Sequence, residues 1–119
     1  MFINPGHALN GEPDPGAVNE DLGLRECDLA AAMGLKAAKF LEMAGCEVRL
    51  LQSHNLSGEA PHFPNVTAEA NGWQADLFVS IHCNASRLHN ARGFESCCYS
   101  IDSEAGKGTM VTIRLPKGA

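Results

Sequence analysis

The chain of 119 residues has no apolar run approaching the roughly 20 residues that a membrane-spanning helix requires. Basic residues are few, 9 against 14 acidic, for a formal charge of -5. That balance excludes the basic stripe of a nucleic-acid surface. It also gives no polybasic route to an anionic membrane or polymer surface. There is no CxxC pair, and the five cysteines are an odd number. Neither a disulfide framework nor a thiolate zinc site fits that pattern. The cysteines are expected to be small buried hydrophobes. HExxH, phosphate-binding glycine loops and nucleophile elbows are missing as well. No internal repeat or low-complexity segment occurs. The chain starts inside a strand, so no signal peptide is visible. An export signal removed, a module of a longer protein, or work without export would each fit.

What is present is enough for one domain with one core, at an ordinary 45% hydrophobic content. Leu77 to His82 reads as a buried strand: a short apolar run, β-branched and aromatic, ending in histidine. A histidine at the carboxyl end of a buried parallel strand lies where open α/β sheets place ligands. Alone, such a histidine is more often structural. A second stretch of the same design changes that reading. Phe2-Ile3-Asn4-Pro5-Gly6-His7 is again a short strand that breaks at Pro-Gly and delivers a histidine. Two strands of one sheet ending this way can bring two imidazoles together.

Residues 8–25 form a polar, turn-rich loop, with no regular structure expected through Gly16. A helix is expected from about Arg25 to Ala44, with Leu29, Met33, Ala37, Phe40 and Ala44 as its buried stripe. Glu26 and Asp28 fall in its first turn, where the helix dipole favours carboxylates, and Gly45 ends it. Cys46 to Leu51 is a second strand, completing a βαβ unit. Residues 52–64 are a polar loop with His54 and His62, expected to be solvated or substrate-side. Asn65 caps a short helix with Val66, Ala70 and Trp73 on one face. Beyond the strand at Leu77 come a loop with His89, a strand candidate Gly93 to Tyr99, and a last strand Thr109 to Leu115 at a sheet edge. The fold expected is α/β: a three-layer, twisted, mostly parallel sheet flanked by helices, with an extra C-terminal edge strand.

A catalytic zinc takes three protein ligands and keeps one position open for water. His7 and His82 supply two nitrogens. The third ligand should be a carboxylate that reaches the same rim, and Glu26 at the start of the crossover helix is the best placed. Glu12, Asp14, Glu20 and Asp21 compete with it, and spacing alone does not separate them. Asn84, two residues past His82, is the candidate substrate-binding residue. Ser80 should be a buried hydroxyl satisfied by backbone.

Four blocks occur in order: Asn4-Pro5-Gly6-His7 with Asp14-Pro15-Gly16-Ala17; Gly23-Leu24-Arg25-Glu26; Ala75 to Ala85; and Ala91-Arg92-Gly93-Phe94-Glu95. Together they resemble the zinc-dependent N-acetylmuramoyl-L-alanine amidases, cell-wall catalytic domains of the amidase 3 type. The resemblance implies one Zn2+ on His7, Glu26 and His82. It implies hydrolysis of the amide joining N-acetylmuramic acid to L-alanine in peptidoglycan. The partners it implies are the stem peptide and muramic acid, with no nucleic acid and no membrane. The implied location is extracellular, in the cell wall or periplasm. The likeness covers residues 2 to about 106; residues 107–119 depart from it and resemble the closing strand of histidine-kinase ATP-binding domains. The expected division is therefore an incomplete catalytic domain, 1–106, and an atypical tail, 107–119, from truncation or fusion. No position matches the family's second, acid/base glutamate, and Glu95 is not assigned to that role. Two alternatives follow: a zinc-binding, wall-binding remnant with little turnover, and a metallopeptidase of related architecture.

Overall fold

A computed structural model describes residues 1–85, which form one compact unit. The strand candidate 93–99, the tail strand 109–115, His89, Glu95, Cys97, Cys98 and the 106/107 division lie outside the described residues.

Three parallel strands make the sheet, in the order β4-β1-β5. Strand β1 is Phe2–Pro5, β4 is Arg49–Leu50 and β5 is Phe78–Ile81. Between β1 and β4 come a 3-10 turn at Leu9–Gly11, a small antiparallel hairpin of β2 (Val18–Asn19) with β3 (Leu24–Arg25), and helix α1 (Glu26–Met43). Helix α2 (Val66–Gly72) links β4 to β5. The chain therefore leaves β1 toward one side and returns to pair on the other. That reversal opens a crevice at the carboxyl ends of β1 and β5. His7 and His82 follow those two ends.

The core is built on β1, every residue of which is buried. Alternation sends Phe2 to one face and Ile3 and Pro5 to the other. Phe2 packs with Val66 and Ala70 of α2 and stacks on Phe78 at 5.9 Å. Ile3, Pro5 and Leu50 meet α1 at Gly34. The two helices thus cover opposite faces, as expected of a layered α/β domain. Asn65 caps α2 through its side chain, accepting from the Ala68 N–H at 3.0 Å, and Gly45 ends α1 at φ 87°.

Five expectations need correction. The stripe Leu29, Met33, Ala37, Phe40 and Ala44 is not the packed face of α1: Leu29, Met33, Phe40 and Ala44 are exposed, and Ala37 is half-buried. The buried residues are Glu26, Cys27, Ala30 and Gly34, about 100° round the helix. Close approach selects small residues there, since a Cβ on Gly34 would lie 2.8 Å from Pro5 Cγ. Nor is β5 a buried strand. Leu77 and Phe78 are exposed and Val79 and Ile81 half-buried, because β5 pairs only with β1 among the described residues. Ser80 is exposed, and its hydroxyl donates to Asn4 Oδ1 at 2.9 Å rather than to backbone. The 8–25 loop does contain regular structure. Of the described cysteines only Cys27 is buried; Cys46 is exposed and Cys83 half-buried.

Candidate metal centre

His7 arrives from β1 in the left-handed region, at φ 69°. A residue other than glycine holds that conformation only when its surroundings impose it. Here Gly6 N–H donates to Ile81 O at 2.9 Å, and Ala8 N–H to Asp14 O at 2.9 Å, gripping the backbone on both sides. Glu26 opens α1. Its own N–H donates to Ala17 O at 2.8 Å and that of Cys27 to Pro15 O at 3.1 Å, so the loop carbonyls satisfy the helix start. The contact is reciprocal: Ala17 N–H donates to Glu26 Oε2 at 2.9 Å. Cys83 N–H, one residue past His82, donates to Glu26 Oε1 at 2.7 Å. Two backbone donors thus aim a buried carboxylate at the strand ends.

The three side chains converge. Glu26 Oε1 lies 3.0 Å from His7 Nε2 and 3.1 Å from His82 Nδ1, and the two nitrogens are 3.2 Å apart. The imidazoles meet edge to face, at 83°. A tetrahedral zinc with bonds of about 2.0–2.1 Å spaces its ligands by about 3.3–3.4 Å. The observed triangle is close to that spacing. It is made of two imidazole nitrogens and a carboxylate oxygen, an arrangement that calls for a shared proton or a cation. The His82 side chain is 48% exposed, so the cluster opens to solvent on one side.

Two glycines leave room for it. A Cβ on Gly6 would sit 2.3 Å from the His82 ring, and one on Gly16 would sit 2.5 Å from the His7 ring. Behind these, the buried Gln52 carboxamide donates to Gly6 O at 3.1 Å and Cys27 O at 3.0 Å. It ties the residue before one histidine to the residue after the glutamate.

The charges follow the contacts. Burial pulls the His7 imidazole down, but its bonds to Asp14 and Glu26 outweigh this and hold it above the usual histidine value. Burial pushes Glu26 up; the Ala17 and Cys83 N–H donors and His7 overcome that and hold it below the usual carboxylate value. Asp14 is held low chiefly by its bond to His7.

Of the competing carboxylates, Glu12, Glu20 and Asp21 are exposed and outside the cluster. Asp14 is at the site, but on the other nitrogen of His7: its Oδ2 is 2.9 Å from Nδ1. Asn84 is exposed, two residues beyond His82. His62 is exposed, whereas His54 is half-buried with its ring edge-on to Phe63 at 4.2 Å. The residue reading did not separate the Asp14 contact, the two backbone donors or the Gln52 tie. Only Asp14 left a local trace, an Asp two residues before a glycine, which is an Asx-turn pattern.

A small α/β domain carrying a His/Glu/His cluster as a possible metal site at its topological switch point is thus defined. The chain belongs to the N-acetylmuramoyl-L-alanine amidase family, whose model matches residues 1–112. It is 37% identical over 99 residues to the sporulation-specific N-acetylmuramoyl-L-alanine amidase of Bacillus subtilis (strain 168), covering 83% of this chain and 35% of that protein. It is 33% identical over 99 residues to the N-acetylmuramoyl-L-alanine amidase CwlM of Bacillus licheniformis, covering 83% of this chain and 36% of the relative. LytC, an N-acetylmuramoyl-L-alanine amidase of B. subtilis (strain 168), is 33% identical over 96 residues, 81% of this chain and 18% of its own length. The chain therefore spans about a third or less of these relatives. No solved structure matches it significantly. No helix among the described residues is long and apolar enough to cross a membrane.

Proposed function

We propose that the chain hydrolyses the amide between N-acetylmuramic acid and L-alanine in peptidoglycan, using one zinc ion held by His7, Glu26 and His82. The carrying observation is the triangle of two imidazole nitrogens and a carboxylate oxygen, 3.0 to 3.2 Å on each side, in a chain of this family. Family membership supports a wall substrate, and with it an extracellular or wall-associated place of work.

Zinc bound there would polarise the amide carbonyl and make a bound water acidic enough to attack near neutral pH. The protein's part is to hold that position. Glu26 is oriented by two N–H donors and kept ionised. His7 is held from behind by Asp14. His82 forms the exposed side, through which a bulky polymer can approach. Asn84 follows on the same segment and is assigned to substrate binding. No acid/base residue is assigned among residues 1–85, because Asp14 and Glu26 are already committed to the histidines. The catalytic unit is assigned to residues 1–106 and the remainder, 107–119, to a tail.

The test is zinc stoichiometry together with digestion of purified wall. The expected result is one zinc per chain, lost in His82→Ala, and zinc-dependent release of alanine amino termini. Zinc binding without that release would establish a binding module instead. Cleavage only at bonds within the peptide would establish a peptidase. Full zinc occupancy in His82→Ala would overturn the ligand assignment.

A further inference from the structure

We propose that Asp14 is a positioning residue for this metal centre: its carboxylate draws the proton of His7 to Nδ1 and so frees Nε2, on the side of Glu26 and His82, for a metal ion. The inference rests on the metal reading above and goes beyond the three ligands.

An isolated neutral imidazole favours its proton on Nε2. In that tautomer His7 would present an N–H, not a lone pair, to the cluster. The carboxylate 2.9 Å from Nδ1 opposes that preference, because an ionised Asp only accepts, whereas Glu26 Oε1, 3.0 Å from Nε2, draws the proton the other way until a cation takes its place. The two ring nitrogens face away from each other, so Asp14 cannot share an ion with Nε2 and is no fourth ligand. Asp14 is itself anchored. Its Oδ1 accepts from Gly16 N–H at 3.0 Å, and its backbone O accepts from Ala8 N–H at 2.9 Å. The loop from Ala8 to Gly16 is therefore closed upon His7 at both ends. Each Asp14 oxygen has a separate task, one on the turn and one on the imidazole.

That division makes Asp14→Asn informative. A carboxamide has one oxygen. If it stays on Gly16 N–H, its NH2 faces His7 Nδ1 and donates to it, forcing the proton onto Nε2. The turn survives and the wrong tautomer results. Asp14→Ala loses both contacts. The Asp14 side chain is 45% exposed, so neither variant should unfold the chain.

The experiment uses the full chain, wild type and both variants, with histidine nitrogens labelled. Long-range proton–nitrogen spectra of the zinc-free proteins at alkaline pH report the His7 tautomer. Competition with a chelator reports zinc affinity. Expected are a substantial Nδ1–H share in wild type, a shift to the Nε2–H form in Asp14→Asn, and zinc affinity lower by roughly 10–100-fold in both variants. A merely structural role predicts that Asp14→Asn, with its turn intact, binds zinc as wild type does and keeps the tautomer; that result overturns the proposal. Wild-type protein that binds no zinc would sink the metal reading first, while its spectra would still show whether Asp14 sets the tautomer.

Discussion

Gly16→Ala is the sharpest perturbation the site offers, because Gly23 supplies its own control. Both glycines are left-handed, at φ 69° and 63°. An alanine at φ > 0 costs about 1–2 kcal/mol, less roughly 0.4–1 recovered through a stiffer unfolded chain. Gly23→Ala meets nothing within 4 Å and should cost that difference alone, about 1 kcal/mol. At Gly16 the new methyl would lie 2.5 Å from His7 Cδ2, 2.6 Å from Nε2 and 2.7 Å from Glu26 Oε2. Ordinary contact is about 3.5 Å or more, so ring and carboxylate must retreat by close to 1 Å. Overpacking of that kind adds about 1–3 kcal/mol. Zinc tolerates only about 0.2 Å in its bonds, so the displacement should abolish stoichiometric binding. Urea denaturation of the zinc-free proteins gives the first quantity, and zinc titration against a chelator the second. Equal stability and equal zinc affinity in the two variants would refute the packing argument.

Other outcomes follow from the same structure. With His7 held above its usual value, its contribution to the metal-free fold is full below the ordinary histidine pKa and lost as pH rises through the raised one. Glu26 and Asp14, held low, contribute above the ordinary carboxylate range and lose that contribution as pH falls through their lowered values. Zinc competes with the His7 proton, so affinity should climb with pH across the histidine window; calorimetry in buffers of different ionisation enthalpy should show proton release, and a flat profile would contradict it. Gln52→Leu removes a buried donor from Gly6 O and Cys27 O and should cost about 1–3 kcal/mol, with weakened zinc binding; a loss well under that range in urea denaturation would show the tie to be idle. Val66→Ala, at a fully buried position, should cost about 2 kcal/mol. Phe40→Ser, on the face that the apolar periodicity marks as buried, should stay within about 0.5 kcal/mol, and thermal unfolding that ranks the two the other way would restore that periodicity.

Much of the frame was legible because its signals are local. Pro5-Gly6 stops a strand, Asn65 caps a helix and Gly45 ends one wherever the chain goes, since caps and breaks depend on a few neighbouring dihedrals. Periodicity failed on α1 for a physical reason. It weighs side chains by size and apolarity, whereas the helix comes close to Pro5 and Ile3 only where its residues are small. The face with Ala30 and Gly34 is therefore packed and the face with Met33 and Phe40 is not. At the sheet, a run of apolar residues identified β5 but could not say that β1 holds the middle place, which depends on which strands pair.

By itself the amino-acid order determined that two strands end in histidine and that Glu26 starts the helix between them. These are consequences of backbone stereochemistry within a few residues. Only the tertiary structure decided which carboxylate faces the histidines and which stands behind one. Glu12, Asp14, Glu20, Asp21 and Glu26 lie close along one stretch of chain, but distance in sequence says nothing about direction. The N–H groups of Ala17 and Cys83 aim Glu26 inward, while the turn at Gly16 carries Asp14 round to the far nitrogen of His7. Both depend on hydrogen bonds that exist only after the loop, the helix and the strand ends have come together.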